Sequence, residues 1–134
     1  MNSRMLARLA SLVGLCSLAT SGQALAAAPV AAGSMPSGDP VVGRLTYQSC
    51  MGCHSIDDND VGPKHRGVVG RTAGTVPGYA YSAALRNSGI VWTPVTLDRW
   101  LQGPQKLVPG AKMFFSVSNA KQRADIIAYL STQK

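Results

Sequence analysis

The sequence predicts an all-α domain whose helices are joined by long loops. Helix-start signals, in which a capping residue stands before a proline or a helical apolar pattern, recur along the chain. Stretches rich in glycine and proline separate them and are unsuited to continuous helix. No internal repeat and no alternation of strands with helices is visible, which argues against a parallel sheet. We therefore expect one domain with three main helices and several short ones.

The first 26 residues are predicted to be a secretory signal peptide. Arg4 and Arg8 form a positively charged start, residues 9–19 are apolar, and Ala24-Leu25-Ala26 offers a small-residue cleavage site. The apolar run is short for a membrane span, so an uncleaved amphipathic anchor is the remaining alternative. A signal of this type predicts export to the periplasm of a bacterium.

Residues 27–37 are rich in Ala, Pro, Gly and Ser and are predicted to be a flexible leader, so the domain itself would be residues 38–134. Cleavage after residue 26 also removes Cys16, which leaves only Cys50 and Cys53. No structural disulfide is then available, although small exported domains often depend on one. A covalently bound cofactor would supply the missing stabilisation.

The first helix is expected to begin at Gly38-Asp39-Pro40, with Asp39 as the N-cap and Pro40 as the first helical residue. It would run to about Gln48. Gly43 lies inside it and costs about 1 kcal/mol relative to alanine. A close crossing with another helix would explain this glycine, and fraying near the helix start is the alternative.

The five residues Cys50-Met51-Gly52-Cys53-His54 carry the Cys-x-x-Cys-His pattern of c-type haem attachment. Two thiols at this spacing can form thioether bonds with the two vinyl groups of one haem, and His54 is then placed to bind the iron. A thioredoxin-like redox pair would need a strand before Cys50, and a zinc site would need two more ligands where only His65 follows. The pattern therefore favours one covalently bound haem c.

An acidic turn and a long coil follow the haem motif. Asp57, Asp58 and Asp60 have neither the spacing nor the glutamate of a calcium-binding EF-hand, so we expect a solvated turn. Residues 61–78 contain too much glycine and proline for a helix. A coil of this length is unusual in a compact domain. It becomes reasonable if it wraps around the edge of a haem, which replaces a side-chain core.

Two short helices are predicted next. Residues 81–87 would form one, ended by Gly89, and residues 96–102 another, with Thr96 as its cap. Residues 105–116 are expected to be loop.

The last helix would begin at Ser118-Asn119, where Asn119 and Gln122 have capping-box spacing, and run to about Thr132. It offers four large residues to the core: Ile126, Ile127, Tyr129 and Leu130.

The chain is basic, with a formal net charge of +7 and no glutamate. A basic surface suits fast, salt-sensitive association with acidic partners. The positive residues are scattered singly and do not alternate with aromatic residues. Binding of nucleic acid is therefore not expected.

Seven short motifs follow one another along residues 38–134: Cys50-x-x-Cys53-His54, Gly62-Pro63, Gly70-Arg71, Pro77-Gly78-Tyr79, Trp92, Pro109-Gly110-x-Lys112-Met113 and Arg123-x-Asp125-x-Ile127-Ala128-Tyr129-Leu130. In this order they resemble the class I cytochromes c, of the mitochondrial type and its soluble bacterial relatives. The resemblance implies the class I cytochrome c fold, in which three main helices, short helices and long loops surround one covalent haem. It also implies a protein that shuttles single electrons between membrane-associated redox complexes.

The resemblance implies a role for eight residues. Cys50 and Cys53 would carry the thioethers, and His54 and Met113 would be the axial ligands, a pair that raises the reduction potential of the iron. The carbonyl group of Pro63 would accept the ring N–H of His54 and fix its orientation. Three further residues match positions that hydrogen-bond a buried haem propionate: Arg71, Tyr81 and Trp92.

Two residues compete for the second axial position. Met113 is the only one of five methionines that lies in a suitable loop beyond the haem motif. His65 would instead make a bis-histidine site of lower potential, but it lies only eleven residues after His54. Met113 is favoured on ligand type and loop context.

Three features depart from the family pattern. The interval from Gly43 to Cys50 is one residue shorter than in the family pattern. The last helix, through Tyr129, would cross the first helix at Gly43, and the shorter interval leaves open which residue packs at this crossing. Trp100 stands where a tyrosine often hydrogen-bonds the methionine sulfur, and its indole N–H would either do the same or simply fill the core. Ala111 replaces a threonine common before the Lys-Met pair.

The sequence thus predicts a soluble, exported monohaem electron carrier and not an enzyme, because both axial positions of the iron would be filled. Its partners would be membrane-associated redox complexes such as quinol–cytochrome c reductase, a terminal oxidase or a dehydrogenase. Lys112 is the favoured docking residue, with Lys64 and Lys106 as weaker candidates. Two alternatives stay open: an open-site haem protein with enzymatic or gas-binding activity, and an electron-transfer subunit permanently docked on a dehydrogenase.

Overall fold

The computed structural model describes residues 35–134, which belong to one compact unit. The all-α prediction is confirmed, since an isolated backbone bridge between Thr72 and Val91 is the only β-structure in this range. No helix in the described range has the length and apolar character needed to cross a membrane. The predicted signal peptide, and the leader as far as residue 34, lie outside the described residues. The helices are α1 (Pro40–Thr46), a 3₁₀ helix at Tyr47–Cys50, α2 (Ala83–Arg86), α3 (Pro94–Gln102), α4 (Pro104–Leu107) and α5 (Ala120–Thr132).

Helix α1 begins as the sequence predicts. The carboxylate of Asp39 accepts hydrogen bonds from the backbone N–H groups of Val41 and Val42, at 2.8 and 3.3 Å, and Pro40 opens the helix. The α-helix ends at Thr46, earlier than expected, and the chain continues as a tighter 3₁₀ turn through Cys50.

Helices α1 and α5 cross with their backbones in contact. A Cβ atom on Gly43 would stand 1.9 Å from the carbonyl oxygen of Asp125 and 2.9 Å from the Cβ of Tyr129. A Cβ on Gly38 would stand 2.1 Å from the carbonyl oxygen of Ala124. The expectation of a close crossing at Gly43 is therefore confirmed, and Gly38 is a second contact of the same kind.

The large apolar residues of α1 face away from this contact. Val41, Val42 and Leu45 are 70%, 45% and 57% exposed. In the 3₁₀ helix that follows α1, Tyr47 is buried and packs against Tyr129 of α5, with ring centroids 5.2 Å apart. The 3₁₀ turn therefore contributes the first large core residue of the N-terminal segment.

Helices α2 and α3 differ from prediction at their first residues. Helix α2 is one turn, capped by Ser82, whose hydroxyl accepts the N–H of Leu85. The predicted cap of α3, Thr96, is wrong. Thr93 caps this helix, because Pro94 fits its first position, and Thr96 is the partner that completes the capping box.

The prediction that residues 105–116 are entirely loop is also wrong. Gly103 ends α3, and Pro104 opens the short helix α4, which ends at Leu107. Proline tolerates the first helical position because the N–H it lacks would have no partner there.

Helix α5 starts at the predicted cap, where the Asn119 side chain accepts the N–H of Gln122 at 3.0 Å. Its residues Ile126, Ile127 and Leu130 are buried in the core. Tyr129 is partly buried against the same core.

Two charged side chains tie α5 to the rest of the domain. Arg123 is buried, and its Nε lies 2.7 Å from Oδ1 of Asp98 in α3. Its guanidinium group also donates to the carbonyl groups of Val117 and Ser118. Asp125 is also buried. Its carboxylate accepts hydrogen bonds from Lys121 and from the backbone N–H of Asp39, and these partners lower the pKa of Asp125 below its ordinary value.

Candidate haem-binding site

One cavity of about 550 Å³ brings together residues from both halves of the chain. Cys50, Cys53 and His54 line it from the end of the 3₁₀ helix, and Met113 lines it from the loop after α4. Its volume lies within the range typical of cofactor sites. Much of the remaining lining is apolar or aromatic, including Val68, Leu85, Trp92, Leu97, Trp100, Leu101, Ile126 and Leu130.

The ring of His54 is held on two sides. Its Nδ1 lies 2.8 Å from the carbonyl oxygen of Pro63, the hydrogen bond that the resemblance implied. Gly62 lies directly against the ring, where a Cβ would stand 2.1 Å from Cε1, and its N–H donates to Cys53. Burial lowers the pKa of His54, although Pro63 and Asp60 partly oppose the shift. The neutral imidazole that results is the form that binds metals.

His65 lies beside His54. Their ring centroids are 4.1 Å apart with 22° between the planes, and His65 Nδ1 lies 2.9 Å from the hydroxyl group of Tyr47. Burial, together with the nearby His54 and Arg71, lowers the pKa of His65 to about 3. Because the two imidazoles are stacked together, they are poorly placed to bind one metal ion from opposite sides. The arrangement disfavours the bis-histidine alternative.

The loop that carries Met113 is fastened by a residue that the sequence did not single out. The side-chain amide of Gln105 donates to the carbonyl groups of Ala111, at 2.6 Å, and Met113, at 2.9 Å. Its oxygen accepts the N–H of Gly110 at 3.2 Å. Gln105 belongs to α4, the helix missing from the prediction, so no local signal pointed to it.

The Lys112 ammonium, predicted to help in docking, donates to the carbonyl group of Ala80. Lys112 is otherwise exposed. This bond joins the Met113 loop to the segment before α2 at the wall of the cavity.

Arg71, Tyr81 and Trp92 all line the cavity. Tyr81 and Trp92 are buried, and the half-buried Arg71 donates to the carbonyl groups of Lys64 and Arg66, each at 2.9 Å. Among the described residues, no aspartate lines this cavity. A cation and polar donors in an otherwise apolar wall suit an anionic group on the occupant.

Trp100, which stands where the family pattern often has a tyrosine, packs against another aromatic residue. Trp100 is buried and meets Trp92 edge to face, with ring centroids 5.2 Å apart. Both rings line the cavity. The donor set is therefore two thiols, a neutral imidazole and a thioether around a mostly apolar cavity, which fits a covalently attached haem.

Comparisons with known proteins agree with this site. The family model described as Cytochrome c matches residues 41–134. The chain is 51% identical over 106 residues to cytochrome c2 of Rhodopila globiformis, covering 76% of this chain and 100% of that protein. It is 50% identical over 101 residues to cytochrome c of Euglena viridis, covering 72% and 99%. Its fold is similar to that of cytochrome cH from Methylobacterium extorquens, with a TM-score of 0.69, 46% identity and coverage of 71% and 99%.

A helical fold with a Cys-x-x-Cys-His motif at the wall of an apolar cavity defines a c-type haem protein. The matches show that the chain belongs to the cytochrome c family, as a class I member. Its cofactor is one covalently bound haem c, and it is an electron carrier and not an enzyme. The redox-pair and zinc alternatives for Cys50 and Cys53 are therefore wrong.

Proposed function

We propose that this electron carrier is exported to the periplasm and that His54 and Met113 ligate the iron of a haem bound through Cys50 and Cys53. The observation that carries the proposal is that one cavity is lined by all four side chains. The bound haem supplies reversible one-electron chemistry at its iron.

The chain's own residues would set the properties of that iron. His54 is oriented through Nδ1 by Pro63, which keeps the other ring nitrogen as the ligating atom. The thioether of Met113 favours the reduced state, and the apolar lining limits access of water, which acts in the same direction. Arg71, with Tyr81 and Trp92, would pair with a propionate and so avoid an uncompensated buried charge.

Docking would occur where the exposed edge of the haem meets the basic surface. Lys112 lies at the cavity wall. Lys64 lies between Pro63 and His65, which both line the cavity, and its backbone carbonyl group accepts a hydrogen bond from Arg71.

Without Arg4 and Arg8 the mature chain keeps 11 Lys and Arg against 6 Asp, a formal net charge of +5. This charge supports weak, rapid association with acidic partners such as quinol–cytochrome c reductase, a terminal oxidase or a dehydrogenase. The rate of electron exchange with such a complex should fall steeply as salt is raised.

The domain organisation belongs to the same proposal: a signal peptide over residues 1–26, a leader over 27–37 and the cytochrome domain over 38–134. The family match from residue 41 supports this boundary. N-terminal sequencing of the haem-loaded protein, purified from a bacterial host that exports it, should begin at Ala27. A mature protein that retains Arg4 and Arg8 would contradict cleavage after residue 26 and favour the uncleaved anchor.

The ligand assignment is tested with Met113→His in the haem-loaded protein. The wild type should show the weak sulfur-to-iron absorbance band of the ferric state near the red end of the spectrum. In the variant this band should disappear, and the reduction potential should fall by on the order of 0.2–0.3 V, because imidazole stabilises the ferric state.

Met51→His is the matched control, because Met51 is 60% exposed and lies between the two cysteines. It should keep both the band and the potential of the wild type. An unchanged potential in Met113→His would show that Met113 is not an axial ligand.

A further inference from the structure

The segment that carries Met113 has little backbone support of its own. Within the part of the chain that the structure describes, residues 112–116 make no hydrogen bond from backbone to backbone. The supported neighbours are Ala111, bonded to Val108, and Val117, bonded to Leu101. Met113 thus lies in a stretch that side chains must hold in place.

Gln105 bonds through its side chain to this stretch at Met113 and to the two residues just before it, Gly110 and Ala111. Its side chain is half-buried and makes three hydrogen bonds to the backbone of the Gly110–Met113 segment, one of them to the carbonyl group of Met113 itself. The amide uses both of its N–H donors and its oxygen, so a residue with only donors or only acceptors cannot replace it. Lys112 adds one bond to Ala80, but this bond does not involve the backbone of Met113.

We propose that Gln105 is a positioning residue for Met113, and that its three hydrogen bonds hold the thioether in place against exchange for external ligands. The inference rests on the proposed ligation of iron by Met113. An external ligand can bind the iron only when the loop has opened, so the apparent affinity for that ligand reports the open fraction. Loss of the Gln105 bonds raises that fraction.

The test uses haem-loaded ferric protein with imidazole as the external ligand, followed by absorbance. Gln105→Leu keeps the approximate size of the side chain but removes all three bonds. Gln105→Glu keeps an acceptor for Gly110 but turns carboxylate oxygens toward the carbonyl groups of Ala111 and Met113. Each lost bond is worth roughly a factor of two to five, so the loss of all three should make imidazole bind about tenfold to a hundredfold more tightly to Gln105→Leu. Gln105→Glu should bind it at least as tightly as Gln105→Leu does.

Gln102→Leu is the matched control. Gln102 is exposed on α3 and bonds to Asp98, away from the Met113 loop. It should bind imidazole as the wild type does. The ferrous forms of the Gln105 variants should keep Met113 bound in the presence of imidazole, since sulfur binds ferrous iron more firmly.

Imidazole affinities within twofold of the wild type in both Gln105 variants would overturn the role of Gln105. An equal rise in Gln102→Leu would also overturn it. The sulfur-to-iron band of the unmodified protein tests the underlying ligation separately: if that band is absent, the proposed function fails before any variant is compared.

Discussion

Gly43 and Asp125 are in contact through their backbones, with no space for a side chain between them. A Cβ atom on Gly43 would stand 1.9 Å from the Asp125 carbonyl oxygen and 2.6 Å from its carbonyl carbon. Backbone of this kind cannot move aside as the end of a flexible side chain can. The crossing of α1 and α5 therefore requires glycine at this position.

Gly43→Ala is expected to destabilise the haem-loaded protein by about 2–3 kcal/mol or more, because α1 must move away from α5. Alanine favours helix by about 1 kcal/mol, so the clash has to outweigh that gain. Denaturant unfolding at equilibrium measures the difference. Arg44→Ala, a substitution to the same residue at the next, exposed position of α1, should change the free energy of unfolding by less than about 0.5 kcal/mol. Equal stability of the two variants would rule out the packing constraint.

Gly62→Ala should disturb the proximal side of the haem. The added Cβ would stand 2.1 Å from His54 Cε1, so either the ring or the loop through Pro63 must move and their hydrogen bond is lost. We expect less haem-loaded protein after purification and a lower reduction potential in the protein that is recovered. Gly52→Ala is the control, because a Cβ at Gly52 meets nothing within 4 Å although the residue adjoins Cys53. A Gly62→Ala protein with wild-type yield and potential would contradict the role of this glycine.

Arg123→Met should cost about 3–5 kcal/mol of stability, because it leaves the carboxylate of Asp98 without its charged partner in a poorly hydrated site. The side chains of Arg123 and Asp98 are only 9% and 15% exposed, and the carbonyl groups of Val117 and Ser118 also lose a donor. Thermal and denaturant unfolding both report the loss. For comparison, Arg66→Met breaks the exposed pair with Asp57 and should have a much smaller effect. Similar losses in the two variants would show that burial does not decide the strength of these pairs.

Asp125 should contribute to the loss of folding stability at acidic pH. Its pKa is lowered in the folded state by Lys121 and by the N–H of Asp39, so the unfolded state binds the proton more readily. Its stabilising contribution is complete above the ordinary pKa of 3.8 and is lost as the pH falls through the lower folded-state pKa. Asp125→Asn should therefore flatten the dependence of unfolding free energy on pH at and below about pH 4. Lys121→Met should flatten it in part, and an unchanged slope in Asp125→Asn would refute this assignment.

The features that the sequence predicted correctly depend on neighbouring residues. The caps at Asp39 and Asn119 each bond to N–H groups two or three positions ahead, and the Cys50–His54 motif is a local pattern. The cap of α3 was misplaced by one helical turn because Thr93 and Thr96 both bear the required hydroxyl.

The features that the sequence did not reveal depend on how distant segments meet. His65 bonds to Tyr47 across eighteen positions, and its stacking on His54 follows from the path of the coil between them. Gln105 reaches its loop only because Pro104 opens a turn of helix there. In both cases a polar residue in an apparent loop gave no indication of its partner.

Helix α1 shows an unusual relation between hydrophobicity and tolerance to substitution. Its bulkiest apolar residues, Val41, Val42 and Leu45, are exposed, whereas its contact with α5 is made by glycine. Polar replacements at the three bulky positions should therefore be accepted, while the addition of a single methyl group to the inner face should not. In a variant library of this helix, the hydrophobic positions would therefore tolerate polar residues as exposed positions do, and the glycine would behave as a core position. The buried face of α1 would be recognised by the positions at which a larger side chain is not tolerated.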